Sequence, residues 1–152
     1  MGMRTASEFV FGIHFLLLGV ISGSALQFVG GIRNLIFIKL ENEKKKMKYA
    51  VAVFCIFFTA AGILTWEGPI TLIPIFAKNV STVAYAMTST RTIRMIELPT
   101  YVLWLIYNVT CGSIAGIINA SFSIVSITIA IIRFDIPYIR EKLAGDKSNI
   151  NQ

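Results

Sequence analysis

The chain alternates apolar runs with short polar segments. Most of the runs approach the length of about 17–25 residues that an α-helix needs to cross a bilayer. Runs of this length, separated by only a few polar residues, are typical of closely packed membrane helices. The pattern therefore predicts an all-α, polytopic transmembrane helix bundle of about six helices, which cover Phe9–Ile21, Ala25–Ile38, Tyr49–Trp66, Ile70–Met87, Pro99–Cys111 and Ile114–Phe134.

Composition supports a lipid environment. Hydrophobic residues make up 55% of the 152, and charged residues only 14%. Soluble domains carry about 25% charged residues, so this chain has too little charge to cover a surface that faces water. We therefore expect the lipid bilayer to be the main partner of the protein.

The distribution of basic residues predicts the orientation of the helices. The predicted linkers Ser22–Ser24, Glu67–Pro69 and Gly112–Ser113 contain no Lys or Arg. Because Lys and Arg favour the cytoplasmic side of a membrane, the other linkers and both termini are predicted to be cytoplasmic. The net charge of +6 thus sets orientation, and it requires no nucleic-acid partner. The basic residues of the cytoplasmic linkers are Lys39, Lys44, Lys45, Lys46, Lys48, Arg91 and Arg94.

Motifs of enzymes and metal sites are missing from the sequence. It contains no CxxC, HExxH, Walker loop or Gly-x-Ser-x-Gly segment. Cys55 and Cys111 lie at different depths of the predicted bundle, which is unfavourable for a disulfide. We expect no cofactor, no metal and no enzymatic activity.

The N-terminal region resembles a secretory signal peptide. Arg4 supplies a basic start, Phe9–Ile21 an apolar core and Gly23–Ala25 a small-residue cleavage site. The alternative is a membrane-spanning helix that the mature protein keeps. An internal repeat favours this alternative, because a cleaved leader is not expected to match a helix pair from the interior of the protein.

The repeat is visible when Ile13–Gly31 is aligned with Val102–Ala120. Both segments contain an apolar helix, a Gly-Ser pair and a second apolar helix, so that Gly23-Ser24 meets Gly112-Ser113. Glycine adopts the left-handed conformation of a tight turn without steric penalty, and the Gly-Ser pairs are therefore predicted to be the turns. In both segments, glycines spaced four apart favour close helix packing.

This repeat predicts two helix bundles of the same orientation, joined by a linker helix. We assign residues 1–38 to an incomplete first bundle with two spans, and 39–68 to a basic cytoplasmic loop and the linker span. Residues 69–135 form a complete three-helix bundle, and 136–152 a cytoplasmic tail. Parallel repeats around a site near the midplane of the membrane are a common plan for transporters.

The counterpart of the predicted helix Ile70–Met87 would lie upstream of Met1 in this alignment. Without it, the face of Phe9–Ile38 that carries His14 and Gln27 would meet lipid, at a cost of roughly a few kcal/mol. We therefore expect either an in-frame coding segment before Met1 or a homodimer that covers this face.

Several segments of the chain resemble a known family. They are GGIRNLIF (Gly30–Phe37), LTWEGPITLIP (Leu64–Pro74), WLIYN (Trp104–Asn108), GSIAG (Gly112–Gly116) and IIRFD (Ile131–Asp135). In this order they resemble the YgjV-type family of bacterial inner-membrane proteins, which is uncharacterised and distantly similar to the PQ-loop and SWEET-type carriers of small solutes. The resemblance implies a location in the bacterial inner membrane. It also implies a SWEET-like arrangement of three, one and three helices that here lacks its first helix.

Polar side chains within membrane spans are costly, so they are candidates for functional residues that face inward. Lys78 lies in the middle of its predicted span. It is either a charge that faces a central cavity or a structural lysine that is paired or reaches the membrane surface. The candidate substrate-binding residues are His14, Gln27, Arg33, Asn34, Lys78, Trp104, Tyr107, Asn108 and Asn119.

Trp104, Tyr107 and Asn108 share one face of a predicted helix. The resemblance to SWEET-type carriers implies that an aromatic ring beside an amide forms a platform for a small polar solute. The alternative is an aromatic anchor in the outer leaflet of the membrane. Asn119 is expected to pair with Asn108 across the Gly-Ser turn.

Two further candidates also have structural interpretations. His14 is either a proton relay or a hydrogen-bond donor between helices. Arg33 lies near the predicted cytoplasmic boundary, beside Asn34. The two residues either belong to the site, or they are an arginine that reaches the headgroups and an amide that packs between helices.

Two functions agree with these features. The first is a carrier of a small polar solute that works by alternating access, with two helix bundles moving around a central cavity. The second is a non-transporting accessory or assembly subunit, which equally fits the shortened first bundle and the short loops.

The charge pattern predicts which loops lie outside the cytoplasm. A reporter inserted within Lys44–Lys48, or fused after Lys147, should report the cytoplasm, and a reporter inserted at Glu67–Gly68 should report the periplasm. Fusions to alkaline phosphatase and to green fluorescent protein measure the two locations. If insertions at Lys44 and at Glu67 reported the same side, the third predicted span would be wrong.

Overall fold

Six α-helices form a bundle in the part of the chain that the computed structural model describes, residues 2–138. This confirms the predicted all-α bundle. A short 3-10 turn, Pro69–Thr71, precedes the fourth helix, and a π-helical turn, Ile131–Asp135, follows the sixth. The helices are α1 (Gly2–Leu17), α2 (Ile21–Leu40), α3 (Lys44–Leu64), α4 (Leu72–Tyr85), α5 (Thr90–Thr110) and α6 (Ile114–Ala130).

The two ends of the bundle differ in charge and in turn chemistry. At one end, which we call the glycine end, the turns contain Gly19, Gly68 and Gly112, whose φ angles are 75°, 120° and 67°. Residues with a side chain rarely adopt positive φ, so these turns require glycine. The opposite end, which we call the basic end, carries the start of α1 and the α2–α3 and α4–α5 connections with their lysines and arginines.

The first turn is not at the Gly-Ser pair, and that prediction was wrong. α1 ends at Leu17 and the chain turns at Gly19, so Gly23 and Ser24 lie inside α2. There they serve packing: the Ser24 hydroxyl donates to the carbonyl oxygen of Gly12 in α1 at 2.8 Å. The sequence was ambiguous because small residues suit both a tight turn and the close approach of two helices.

The second turn follows the prediction, since Gly112 lies between α5 and α6 and Ser113 caps α6. Both turns are closed in the same way. The N–H of Val20 and the N–H of Ser113 each donate to the carbonyl oxygen five residues earlier, at 2.9 Å, which is the bond of a Schellman motif. The two turns therefore share this geometry, with Gly19 as the counterpart of Gly112.

α5 begins earlier than the sequence predicted. The apolar pattern ends one predicted span at Met87 and begins the next at Pro99, which predicts a polar linker over Thr88–Leu98. The helix instead starts at Thr90 and includes Arg94 and Glu97. Arg94 donates two hydrogen bonds to Asp135, at 2.6 and 3.1 Å. These charged residues are therefore part of the helix, and Arg94 pairs with the π-helical turn that follows α6.

The helices differ in length and apolar content. Among residues 2–138, three segments are long and apolar enough to cross a membrane: Ile21–Leu40, Lys44–Leu64 and Ile114–Tyr138. α1 has 16 residues and starts at Gly2 instead of Phe9, and α4 has 14. At 1.5 Å per residue, α4 is about 21 Å long. The other three predicted spans stay predictions.

A hydrophobic core lies between α2, α3 and α4. Leu26 and Phe37 of α2 pack with Phe54 and Phe58 of α3 and with Ile75 of α4. α1 packs along α2, and α5 lies between α4 and α6. This arrangement leaves a space bounded by α1, α2, α4, α5 and α6.

α3 lies at the edge of the bundle, and its role as a linker helix stays a prediction. It lies on the outside of α2 and α4, contacts both, and buries only one of its faces. The boundaries of the predicted units stay predictions. Within the predicted tail 136–152, residues 139–152 lie outside the described part of the chain.

Two neighbouring phenylalanines provide a matched test of the core. Phe58 is fully buried, whereas Phe57 is 57% exposed. Phe58→Ala should lower the free energy of unfolding by about 2 kcal/mol or more, because the cavity left in the core is only partly refilled. Phe57→Ala should lower it by less than about 0.5 kcal/mol. Unfolding by SDS in mixed micelles measures both, and equal losses would contradict the inward face of α3.

Candidate functional site

A cavity of about 260 Å³ lies inside the bundle. α1, α4, α5 and α6 form its walls, and Gln27 of α2 closes one side. It extends from Met3 and Arg4 at the basic end to Asn108 and Gly116 near the glycine end. Because Met3 is almost fully exposed, the cavity reaches the surface at the basic end.

Five of the nine predicted site residues line this cavity. They come from four helices, which shows that the predicted residues lie together although they are far apart in the sequence. The other four lie beside the cavity or at the glycine end. The lining residues are Gln27, Lys78, Trp104, Asn108 and Asn119, and the others are His14, Arg33, Asn34 and Tyr107.

The centre of the site is an ion pair between Lys78 of α4 and Glu8 of α1. Lys78 is only 4% exposed. Its ammonium group also donates to Gln27 Oε1 at 2.7 Å and lies 5.3 Å from the centre of the Trp104 ring. A buried charge needs such partners. Lys78 therefore lines the cavity and is also paired, so each interpretation of this residue holds in part.

The same carboxylate holds Arg33, so that Glu8 joins three helices. Arg33 Nη2 donates to Glu8 Oε1 at 3.2 Å and to Asn34 Oδ1 at 2.9 Å, and Nη1 donates to Thr82 Oγ1 at 2.8 Å. The guanidinium lies 4.7 Å from the centre of the Tyr85 ring, and Arg33 is fully buried. The interpretation of Arg33 as a side chain that reaches the headgroups is therefore wrong, because all its partners lie inside the bundle.

Gly30 of α2 gives the ion pair its space. A Cβ atom at this position would overlap the Glu8 carboxylate and would lie 2.8 Å from Lys78 Nζ. Any other residue would therefore displace the ion pair. The first glycine of the GGIRNLIF segment is therefore required on steric grounds, because a side chain there would take the place of the ion pair.

A second ion pair lies at the basic end of the cavity. Arg4 Nη1 of α1 is 3.5 Å from Glu97 Oε2 of α5, and the Tyr85 hydroxyl donates to the same oxygen at 2.8 Å. Glu97 lines the cavity, and its Oε1 atom is buried without a hydrogen-bond partner among the described residues. We call such an atom an open acceptor.

Sequence reasoning missed Arg4, Glu8 and Glu97, because it began each span at a long apolar run. A signal for the first two was present. Arg4 and Glu8 lie four residues apart and therefore on one face of a helix, if that helix is extended back to Gly2. Glu97 stands alone between two apolar residues, which is unusual for a solvated carboxylate.

Asn108 does not pair with Asn119 across the turn, and that prediction was wrong. Its Nδ2 atom donates to the carbonyl oxygen of Trp104 at 2.6 Å, and its Oδ1 atom is a second open acceptor. Gly116 of α6 lies against this amide, and a Cβ atom there would overlap Asn108 Oδ1. The backbone of α6, and not the Asn119 side chain, is therefore the neighbour of Asn108.

A separate polar network closes the glycine end. Glu67, in the turn before α4, accepts hydrogen bonds from the N–H groups of Ile21 at 2.8 Å and Ser22 at 3.2 Å, and from the Ser22 hydroxyl. This carboxylate therefore caps the N-terminus of α2. The Ser22 hydroxyl also lies 3.1 Å from the Tyr107 hydroxyl. Tyr107 thus belongs to the glycine end and not to the cavity lining.

His14 and Gln27 do not face lipid, contrary to the sequence-based expectation. His14 Nε2 lies 2.9 Å from the Ser113 hydroxyl in the α5–α6 turn, and Gln27 contacts Lys78. The expected cost of exposing these two groups to lipid therefore does not arise. The homodimer stays a prediction.

The side chains that line the cavity can form hydrogen bonds, ion pairs and contacts with aromatic rings. Within residues 2–138, no three side chains of His, Cys, Asp or Glu lie together in a way that holds a metal ion. Cys55 and Cys111 are free thiols, each partly buried.

The fold and the cavity define a helical integral membrane protein with a charged, polar site between its helices. Comparison with known proteins identifies its family. Residues 2–136 match the family described as Bacterial inner membrane protein, Imp-YgjV, and the chain belongs to this family. Over 126 residues it is 30% identical to Inner membrane protein YgjV of Escherichia coli (strain K12), an alignment that covers 82% of this chain and 66% of that protein.

The family confirms the resemblance found in the sequence, and it supports a multi-pass location in the bacterial inner membrane. The chain spans slightly less than two thirds of the length of the Escherichia coli relative. No solved structure matches the chain.

The buried ion pair predicts a contrast between two glutamates. Glu8→Gln leaves Lys78 without its counter-charge inside the bundle and should lower the free energy of unfolding by about 3–5 kcal/mol. Glu43→Gln removes an exposed pair with Lys46 and should cost less than about 1 kcal/mol. SDS unfolding of the two variants measures the difference. Similar losses would show that the Glu8 pair is not a central contact.

Proposed function

We propose that this inner-membrane protein carries a small polar solute by alternating access, with the cavity as its binding site. The observation that most supports this proposal is the lining of the cavity, where the Glu8–Lys78 ion pair and Gln27 lie beside the Trp104 ring. Polar and charged side chains are costly inside a membrane bundle. A polar solute in the cavity would be bound by such groups.

The dimensions and walls of the cavity suit a small solute. Its volume of about 260 Å³ is just below the roughly 300–1,000 Å³ of sites for drug-sized ligands. The rings of Phe11, Phe15, Tyr101 and Trp104 share the lining with charged side chains. Apolar walls with a few polar groups are typical of sites that orient a ligand.

Alternating access requires contacts between helix groups that can separate. Arg4–Glu97 joins α1 to α5 at the basic end, and Ser22–Tyr107 joins α2 to α5 at the glycine end. The cavity reaches the surface near Met3, whereas the polar network closes the glycine end. We propose that the basic end faces the cytoplasm, with both termini on that side, so that this conformation faces inward. The glycine-end contacts would separate in the opposite conformation.

A non-transporting accessory or assembly subunit is the second candidate. The observation that favours it is the pairing of Lys78, whose ammonium group already has Glu8 and Gln27 as partners. A solute would have to compete with these partners, whereas a purely structural network need not open. Only the carrier requires flux of a solute.

Transport into vesicles distinguishes the two candidates. Purified protein in proteoliposomes should accelerate the uptake of one or more labelled solutes from a panel of sugars, amino acids, amines, vitamins and nucleosides. Lys78→Gln should reduce this uptake by roughly tenfold or more, equivalent to about 1.4 kcal/mol of lost transition-state stabilisation. Lys48→Gln, on the exposed start of α3, should leave it unchanged. Correctly folded protein without flux for any class would favour the accessory subunit.

A further inference from the structure

The first turn of α3 carries an exposed cluster of positive charge. Lys44, Lys45 and Lys46 are consecutive and all exposed, and we call them the lysine turn. Lys46 forms a surface ion pair with Glu43. Among the described residues, Lys44 and Lys45 have no carboxylate partner. The described chain therefore neutralises only part of this charge.

The other basic connection of the bundle, between α4 and α5, is different. Arg91 Nε lies 3.4 Å and Arg94 Nη2 lies 2.6 Å from Asp135 Oδ1, so these two cations share a carboxylate of the chain. The lysine turn has no comparable acceptor in the described residues. A negative partner for Lys44 and Lys45 would come from outside that part of the chain.

The position of these lysines on α3 is electrostatically unfavourable. The N-terminus of a helix carries a partial positive charge, which favours acidic and not basic side chains in the first turn. The first turn of α3 contains no acidic residue, and its three ammonium groups also repel one another. A negative group that contacts the lysine turn would relieve both repulsions.

The lysine turn lies at the level where the head groups of a bilayer are expected. α2 and α3 are both long and apolar enough to cross a membrane, and only residues 41–43 connect them. At 1.5 Å per residue, the 21 residues of α3 measure about 31 Å, close to the roughly 30 Å of the hydrocarbon layer. The short connection therefore holds the lysines at the membrane boundary.

An exposed apolar face of α3 begins directly after the lysine turn. Tyr49, Ile56 and Ile63 are all exposed, and their spacing of seven residues places them on one side of the helix. Lys45 lies one turn before Tyr49 on that side. A phospholipid matches both parts of this surface, because its acyl chains are apolar and its head group contains a phosphate. An acidic soluble protein would match the charge alone.

We infer that the lysine turn binds the phosphate groups of anionic phospholipids. Basic clusters beside a membrane helix attract anionic lipids, and the long stem of a lysine lets its ammonium group reach the head groups. The inference goes beyond the proposed function and does not depend on it, since the three lysines lie outside the cavity lining.

Two lipids with the same acyl chains test the inference on the full chain in detergent micelles. Phosphatidylglycerol should raise the melting temperature more than phosphatidylcholine, in a concentration-dependent way, and 0.5 M salt should reduce the difference, because salt screens exposed charges. The triple variant Lys44→Gln/Lys45→Gln/Lys46→Gln should reduce the difference at least threefold. The variant Lys44→Arg/Lys45→Arg/Lys46→Arg keeps the charge and should keep the difference.

A matched control removes three positive charges elsewhere. Arg140→Gln/Lys142→Gln/Lys147→Gln, in the predicted tail, changes the net charge by the same amount and should keep the preference for phosphatidylglycerol. The melting temperature in phosphatidylcholine reports whether each variant folds.

Three results would overturn the inference. The first is an equal melting temperature of the unaltered protein in the two lipids, and the second is a full difference in the folded Lys→Gln variant. The third is an equal loss in the tail variant, which would show an effect of net charge and not of the lysine turn. An equal shift with soluble glycerol 3-phosphate would also contradict it, because the site would then bind a free phosphate and not a lipid.

Discussion

The rest of the bundle depends on the carboxylate of Glu8. It faces two buried cations, Lys78 from α4 and Arg33 from α2, which are withdrawn from water inside the bundle. Without it, two positive charges would lie together with no counter-charge, so α1 must pack where Glu8 reaches both. That position brings Arg4, one helical turn earlier, within reach of Glu97 on α5. One carboxylate thus fixes the relative positions of α1, α2 and α4, and Arg4, one turn earlier in α1, adds α5.

Glycine allows these polar contacts to form at close range. In lipid, apolar surfaces do not drive helices together as they do in water, and close backbone approach supplies much of the packing. At Gly30 the Glu8–Lys78 pair lies directly against the backbone of α2, and at Gly116 the Asn108 amide lies against the backbone of α6. A methyl group at either position would occupy the place of a polar atom. The glycines therefore belong to the site as much as the charged side chains do.

Much of the architecture could be predicted from the sequence, because apolar runs, turn glycines and basic segments act locally. The bundle, the turn at Gly112 and the inward position of Lys78 follow from such patterns. The pairing of side chains does not: Glu8 and Lys78 are 70 residues apart, and a single sequence does not show which polar residues meet. The first turn was misplaced for a different reason, since Gly19 and Gly23 are equally suited to turning and to packing.

The buried polar groups of the core differ in how well the chain satisfies them. Glu8, Arg33 and Lys78, on α1, α2 and α4, have charged partners within the chain. Glu97 Oε1 and Asn108 Oδ1, both on α5, and Asn34 Nδ2, beside Arg33 on α2, have no hydrogen-bond partner among the described residues. A buried polar atom without a partner costs roughly 1–3 kcal/mol. The Glu8 ion pairs therefore stabilise the bundle, whereas these three atoms offset part of that stability in the conformation that the structure describes.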